Sequence, residues 1–276
     1  MSVTVIIPAR NEEKNILDSV NSLLNQTIKP LKIIVVLDRC TDNTEKIVNE
    51  LMKNNKEIIK IVKDSTKYEK TFMKAFLIAE SINLGLENAK PFVKFIMIVN
   101  ADSVFSQNYI KESLKILDED EKCGMVGYAH FSNISGSGYI IRSNILKKIG
   151  NQIKECAAED TYLQFSVLEL GYSIKKIKDS SMTLLRDRGE GSIMGRIKYE
   201  FGKGFASYTL GYSFGYEMTR SAYWVCKGKF SSFAIIFGFL YAYAKKIEKL
   251  KITNSDVVKN WQKERFESIF RKSKSD

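Results

Sequence analysis

The chain has 276 residues, 44% of them hydrophobic and only three proline, with 43 Lys and Arg against 32 Asp and Glu and a formal charge of +11 at pH 7. This composition excludes a linker or a disordered tail, which cannot bury a core, and the length allows one large domain or a large domain with an appendage. The excess charge lies at one end: residues 1–195 carry 27 basic and 25 acidic side chains, a net of +2, whereas residues 196–276 carry 16 and 7, a net of +9.

The N-terminus, MSVTVIIPARNEE, reads as a strand over 3–7 closed by Pro8, not as a cleaved leader, because charges follow the apolar run at once. Asn11 is a candidate N-cap for a helix whose apolar positions are Ile16, Leu17, Val20, Leu23 and Leu24. Beyond Pro30 comes the strand Ile33-Ile34-Val35-Val36-Leu37, then a helix beginning near residues 41–44 that carries Ile47, Val48 and Leu51. A third strand is expected at 58–62, a long helix over about 70–86 and a fourth strand at 92–99. Nearly continuous Val/Ile runs suit strands covered on both faces, so crossover helices pack on either side of a mostly parallel sheet.

From residue 100 the pattern is mixed: a helix at 107–118, a strand near 125–131, a Ser/Gly loop at 135–138 and an amphipathic helix just after Asp160. With no internal repeat, this gives one α/β domain over 1–195 (1–103 and 104–195 as its halves) and a basic, aromatic-rich helical region over 196–276. Cys40, Cys123, Cys156 and Cys226 show no CxxC spacing and there is one histidine, His130, so reduced, buried thiols are expected and no zinc cage.

Ligands of open α/β sheets bind outside the carboxyl ends of the strands, and three strands here end in polar clusters: Pro8-Ala9-Arg10-Asn11-Glu12, Asp38-Arg39-Cys40-Thr41-Asp42-Asn43 and Asn100-Ala101-Asp102-Ser103. Neither GxGxxG nor GxxxxGK[ST] occurs, so a nucleotide would be held by acidic and amide groups. Ala158-Glu159-Asp160-Thr161 is a fourth cluster: two acids at a helix start either complement the helix dipole or supply a catalytic carboxylate with its supporter.

The ordered series IIPARNE, VVLDRCTDNT, IVNADS, SGSGYIIRSNILKKIG and AEDTYLQFSVLELGY, over about residues 2–180, resembles the family 2 glycosyltransferases with the GT-A fold. The resemblance implies an inverting, metal-assisted transfer from a nucleotide-diphospho sugar, a UDP or GDP sugar, to a hydroxyl or lipid-phosphate acceptor, on a Rossmann-like sheet with helices on both faces. By the same resemblance Pro8, Arg10 and Glu12 line the nucleoside pocket, Asp38 meets the base, and Asn100-Ala101-Asp102 stands at the DxD position. Asp102 would then ligate Mg2+ or Mn2+, with Asn100, an amide in place of the usual acid, beside it at one negative charge less. Asp160 matches the general base and Glu159 its neighbour. Arg186 and Arg188 fall at a loop that closes over the diphosphate in the family; a clamp and a solvated loop both fit them. Lys70 and Lys74 lie near a donor-side basic position without a fixed register, and His130 reads as a packed or exposed residue and not as a ligand. A sugar-phosphate nucleotidyltransferase is the rival enzyme, although PARNEE lacks its glycines; a non-catalytic sugar-nucleotide binder at a membrane is the other rival, and nucleic-acid binding rests on charge alone.

At the C-terminus, FGKGFASYTLGYSFGY interleaves glycine with aromatics, and residues 230–244, FSSFAIIFGFLYAYA, are uncharged between lysines. Fifteen helical residues reach about 22 Å, short of the ~30 Å of a bilayer core. Residues 205–250 are therefore expected to make a peripheral membrane contact on the cytoplasmic face, with burial against the catalytic domain or a homodimer as the alternative.

Overall fold

The apolar runs become strands where neighbouring strands can cover them, and the polar positions between them become helix starts and loops. A computed structural model describes residues 2–63, 75–91, 93–130, 133–177, 182–186, 192–252 and 254–272. In chain order the elements are β1 (Val3–Ala9), α1 (Ile16–Leu24), β2 (Lys32–Asp38), α2 (Thr44–Asn54), β3 (Ile58–Lys63), α3 (Ala75–Asn88), β4 (Phe95–Ile98), β5 (Ser103–Phe105), α4 (Tyr109–Glu119), β6 (Cys123–His130), β7 (Asn133–Ile134), β8 (Tyr139–Arg142), α5 (Ser143–Lys148), α6 (Glu159–Glu169), β9 (Ser173–Ile177), β10 (Met182–Leu184), α7 (Ile193–Thr209), α8 (Phe214–Cys226), α9 (Phe233–Ala244) and α10 (Ser255–Lys272).

The chain divides into two compact units. The first comprises residues 1–155 and 170–186 and the second residues 156–169 and 187–276. The helix that carries Glu159 and Asp160 thus groups with the C-terminal helices, a division that a single cut near residue 195 does not make.

In the first unit the main sheet runs β3-β2-β1-β4-β8-β6-β7, with β9 also on β6. The pairs β3–β2, β2–β1, β1–β4 and β6–β9 are parallel, and those of β8 with β4 and β6 are antiparallel, so the sheet is mixed and mostly parallel. Val3, Val5 and Ile7 of β1 pack with Ile16, Val20 and Leu23 of α1 and with Ile110 and Leu114 of α4. Ile6 faces the other way onto α3, where Gly85 leaves no room for a Cβ beside its side chain. Both faces of β1 are dry, and each of these residues is completely buried, which accounts for the run without polar alternation.

Three local expectations change. Asn11 does not cap α1, whose N-cap is Asn15; Asn11 takes a left-handed φ of 55° and bonds across to the next loop instead. The fourth strand is shorter than 92–99, and the helix expected after Asp160 already begins at Glu159, putting both acids in its first turn. Lys70, Lys74, Phe92 and Arg188 lie outside the described residues, and His130 is described only as the last residue of β6.

In the second unit, Phe165 of α6 packs with Leu210, Tyr212, Tyr216 of α8 and both Val258 and Trp261 of α10, the Phe165 and Trp261 rings meeting edge to face at 5.0 Å. Among the described residues no helix is long and apolar enough to cross a membrane.

Candidate functional site

The first unit brings three strand ends together because β1 lies between β2 and β4. The loops after β1 and β2 are zipped by side chains. Asn11 Oδ1 accepts from the Thr41 N–H at 2.8 Å, the Glu12 N–H donates to Thr44 Oγ1 at 2.8 Å, and the Glu13 carboxylate accepts from the N–H and side-chain amide of Asn43 at 3.0 and 2.9 Å. Asp42 closes the zip, accepting from the Glu13 N–H at 3.1 Å and from the Thr44 N–H and hydroxyl at 3.0 and 2.5 Å. Desolvation would raise its carboxyl, but these hydrogen bonds outweigh it and hold Asp42 below its ordinary value. Half of the polar residues in the first two clusters are therefore architecture, whereas Pro8, Arg10, Glu12 and Asp38 line a pocket.

The third strand end is fixed from below. The Asn100 N–H donates to Ser137 Oγ at 2.9 Å, and Ser103 and Ser137 share a hydroxyl–hydroxyl bond of 2.7 Å. Gly138 has a φ of +78°, and a Cβ there would lie 2.5 Å from the Phe105 ring. Its carbonyl accepts from the Tyr109 hydroxyl at 2.6 Å. The Ser/Gly loop is thus the strut under the Asn100–Ser103 segment.

Pro8, Arg10, Glu12, Asp38, Asn100, Asp102 and Arg186 all line one pocket of about 270 Å³. Arg186 follows β10, which pairs antiparallel with β5, and the Leu185 N–H donates to the Asp102 carbonyl at 2.8 Å, so the arginine is delivered to the third strand end. Its Nη2 lies 2.9 Å from Glu12 Oε1 and 3.3 Å from Asp102 Oδ2. Asp38 lines the same pocket while held by Arg39 Nε and Nη2 at 2.8 and 3.1 Å, with Lys63 Nζ at 3.6 Å and Lys63 in turn 2.5 Å from Glu80. Sequence reasoning missed this buried charge network, as it missed Ile78 and Ser81 of α3 on the pocket wall; nothing in the helical pattern of α3 marks those two positions.

Asp102 carries the observation that bears on a metal. Its Oδ1 is buried and has no hydrogen-bond partner, a state that costs about 1–3 kcal/mol unless a ligand completes it. A hard carboxylate oxygen left open beside a second carboxylate, Glu12, suits Mg2+ or Mn2+. Among the described residues no group of three or more His, Cys, Asp or Glu could hold an ion alone. An ion here would take its remaining ligands from a substrate diphosphate and water, which is the common pattern for Mg2+.

In the second unit, Glu159 and Asp160 open α6. Asp160 Oδ1 accepts from the Thr161 N–H at 2.7 Å, which fixes the carboxylate at the helix start. Burial, and after it the Asp160 charge, push the Glu159 carboxyl up to about 8. Glu159 therefore keeps its proton to higher pH than an ordinary carboxyl does.

The chain is similar to several known proteins. An uncharacterized glycosyltransferase of Haemophilus influenzae is 32% identical over 125 residues, 45% of this chain and 35% of that protein. The mannosyltransferase PcManGT of Pyrobaculum calidifontis, solved with GDP-Man and Mn2+, superposes with a TM-score of 0.62 at 15% identity over 97% of this chain and 84% of its own. S. aureus TarS 1-349, solved with UDP-GlcNAc, gives a TM-score of 0.55 at 18% identity over 75% of this chain and 66% of its own. These two structures establish the fold, the GT-A glycosyltransferase architecture. The chain spans about half the length or less of the curated relatives it matches, from 15% to 48%. The sequence profile described as glycosyl transferase family 2 matches residues 4–168, and with more than half of its length so matched the chain belongs to glycosyl transferase family 2.

Proposed function

We propose that the chain transfers a sugar from a nucleoside-diphosphate sugar, a UDP or GDP sugar, to a hydroxyl or lipid-phosphate acceptor, with inversion at the anomeric carbon. The observation that carries this reading is the meeting of three strand ends in one pocket around Asp102, whose open Oδ1 lies in the same cavity as Glu12, Asp38 and Arg186. The nucleotide sugars bound by TarS and PcManGT, and the Mn2+ of the latter, support it.

In this reading Asp38 and the Pro8–Glu12 loop hold the nucleoside, and Asp102, with Asn100 next to it, holds Mg2+ or Mn2+ on the diphosphate. Such an ion, when bound, supplies positive charge against the negative charge that develops on the departing diphosphate. Arg186 adds a guanidinium to the same phosphates, a shape suited to paired oxygens, and Arg188, outside the described residues, is assigned to the same loop. Asp160 accepts the proton of an acceptor hydroxyl as its oxygen attacks the anomeric carbon and the bond to the diphosphate breaks. A Glu159 that holds its proton longer spares Asp160 a second negative charge beside it. A phosphate acceptor, already ionised, would need little of this help. The C-terminal helices, over 205–250, bring the enzyme to a membrane that holds a lipid-linked acceptor.

Release of nucleoside diphosphate from a panel of UDP and GDP sugars, with and without Mn2+, tests the reading. Metal-dependent release supports transfer. Tight binding without release under every metal and acceptor condition would favour a sugar-nucleotide sensor instead.

A further inference from the structure

Helix α9 is built inside out. Its twelve residues, FAIIFGFLYAYA, include no charge, and the face it buries carries Ala234, Gly238 and Ala242 beside Ile235 and Phe239. Most of its other large side chains point outward: Phe233 is 50% exposed, Phe237 63%, Leu240 42% and Tyr243 66%, and Phe230 in the preceding turn is 71% exposed. At about 100° per residue, Phe233, Phe237 and Leu240 form one stripe, with Tyr241 and Tyr243 on its two flanks.

The packing of α9 on α7 explains the inversion. A Cβ on Gly204 would run into the Ile235 carbonyl, and one on Gly238 into the Phe201 carbonyl. The two backbones therefore touch at these glycines, as at helix crossings made by small residues, and the rings that α9 does share with α7 lie beside the crossing, Phe239 against Tyr208 and Tyr241 against Phe201. Phe233, Phe237 and Leu240 go out to a surface that a helix bathed in water would fill with polar groups.

Charge selects the partner. Residues 227–251 carry six lysines and one glutamate. Lys227 and Lys229 stand exposed before the stripe, and Lys245 and Lys246 stand exposed after it. A second copy of this chain laid on the stripe would bring lysines against lysines. An anionic lipid surface meets the same pattern with opposite charge, and an α9 of about 18 Å is too short to cross a ~30 Å core but long enough to lie in the interface.

We propose that α9 and the turn before it seat in the surface of an anionic bilayer, with Phe233, Phe237 and Leu240 among the acyl chains, the two tyrosines at headgroup level and the lysines on lipid phosphates. This narrows the membrane contact proposed above to one helix face and one lipid charge. Its test uses no sugar nucleotide, so it fails or succeeds separately from the transferase reading.

The full chain is sedimented with vesicles of phosphatidylcholine alone and of phosphatidylcholine mixed with phosphatidylglycerol, at low and high salt. The expected result is binding to the mixed vesicles that weakens with salt, with little binding to neutral ones. The double substitutions Phe233→Ser/Phe237→Ser and Lys245→Glu/Lys246→Glu should each weaken binding at least about tenfold, with circular dichroism unchanged because these side chains are exposed. If the serine pair disturbs folding, the lysine pair, made only of exposed charges, decides. Failure of the wild-type chain to bind mixed vesicles would overturn the proposal, as would equal binding by the lysine variant. A dimer by light scattering that Phe237→Ser splits into monomers would overturn it in favour of a second copy.

Discussion

The guanidinium of Arg186 lies 2.9 Å from the Glu12 carboxylate, and the same nitrogen reaches Asp102 at 3.3 Å. Two strand ends far apart in sequence are thus tied by one side chain, which is itself 58% exposed and free to exchange these partners for others. The arginine stands where positive charge is needed between two nearly buried carboxylates. A cation arriving with a diphosphate would take over that role and release Arg186 toward the phosphates. The two carboxylates are buried and Arg186 is more than half exposed, so the latch can open where another cation takes its place between them.

Replacing Arg186 with Ala should leave the fold intact and lower kcat/KM for donor turnover by about 10- to 100-fold, and Lys should restore little, since an ammonium cannot make the paired contact. Steady-state turnover and a melting curve for the three proteins check this; full rescue by Lys would show that only charge matters there.

For Asp102→Asn the account expects loss of metal-dependent turnover of about 10²-fold or more, with a small rise in stability because the open, buried Oδ1 no longer belongs to a charged group. Turnover against Mn2+ concentration is the measurement. An unchanged Mn2+ dependence would remove Asp102 from the metal site.

Substitution of Asp160 by Asn should cut transfer to a hydroxyl by about 10²–10⁴-fold with donor affinity unaltered. Calorimetric donor binding beside single-turnover transfer separates the two quantities. A large loss of donor affinity would mean that Asp160 holds the donor and is not the base.

Glu159 should give the chain an alkaline weakness. Its folded carboxyl keeps a proton up to about 8, whereas an unfolded one releases it near 4.5. Between these values the folded state binds more protons, so stability falls as pH rises through the window and levels off above it. The melting temperature of wild type should therefore drop from about pH 5 to about pH 9 by more than that of Glu159→Gln, which has no proton to lose. Parallel curves for the two proteins would contradict the raised value.

Much of the site could be read from the sequence because each chemical residue follows an apolar run that can only be a buried strand: Pro8, Arg10, Glu12, Asp38, Asn100 and Asp102 all meet in one pocket. Arg186 reaches it through β10 and β5, three residues each, and strands this short are set by their partner and not by periodicity. The same reason hid β7 and β8. Asn11 looked like a helix cap, but its bond is to Thr41, thirty residues away, and local sequence carries no sign of such a pairing. The grouping of α6 with the C-terminal helices rests on Phe165 packing against Trp261, a contact across almost a hundred residues. Inside-out α9 was legible as an uncharged run, but not which of its faces would be buried; Gly204 and Gly238 decide that in three dimensions.

The central claim is that the pocket around Asp102 holds a nucleoside-diphosphate sugar through a divalent cation. Titration calorimetry of UDP and GDP sugars into wild type and Asp102→Asn, each with Mn2+ and with a chelator, tests it most directly. The account predicts binding of at least one sugar nucleotide that needs both Mn2+ and Asp102. Sugar-nucleotide binding of equal strength in chelator and in the Asn variant would contradict it.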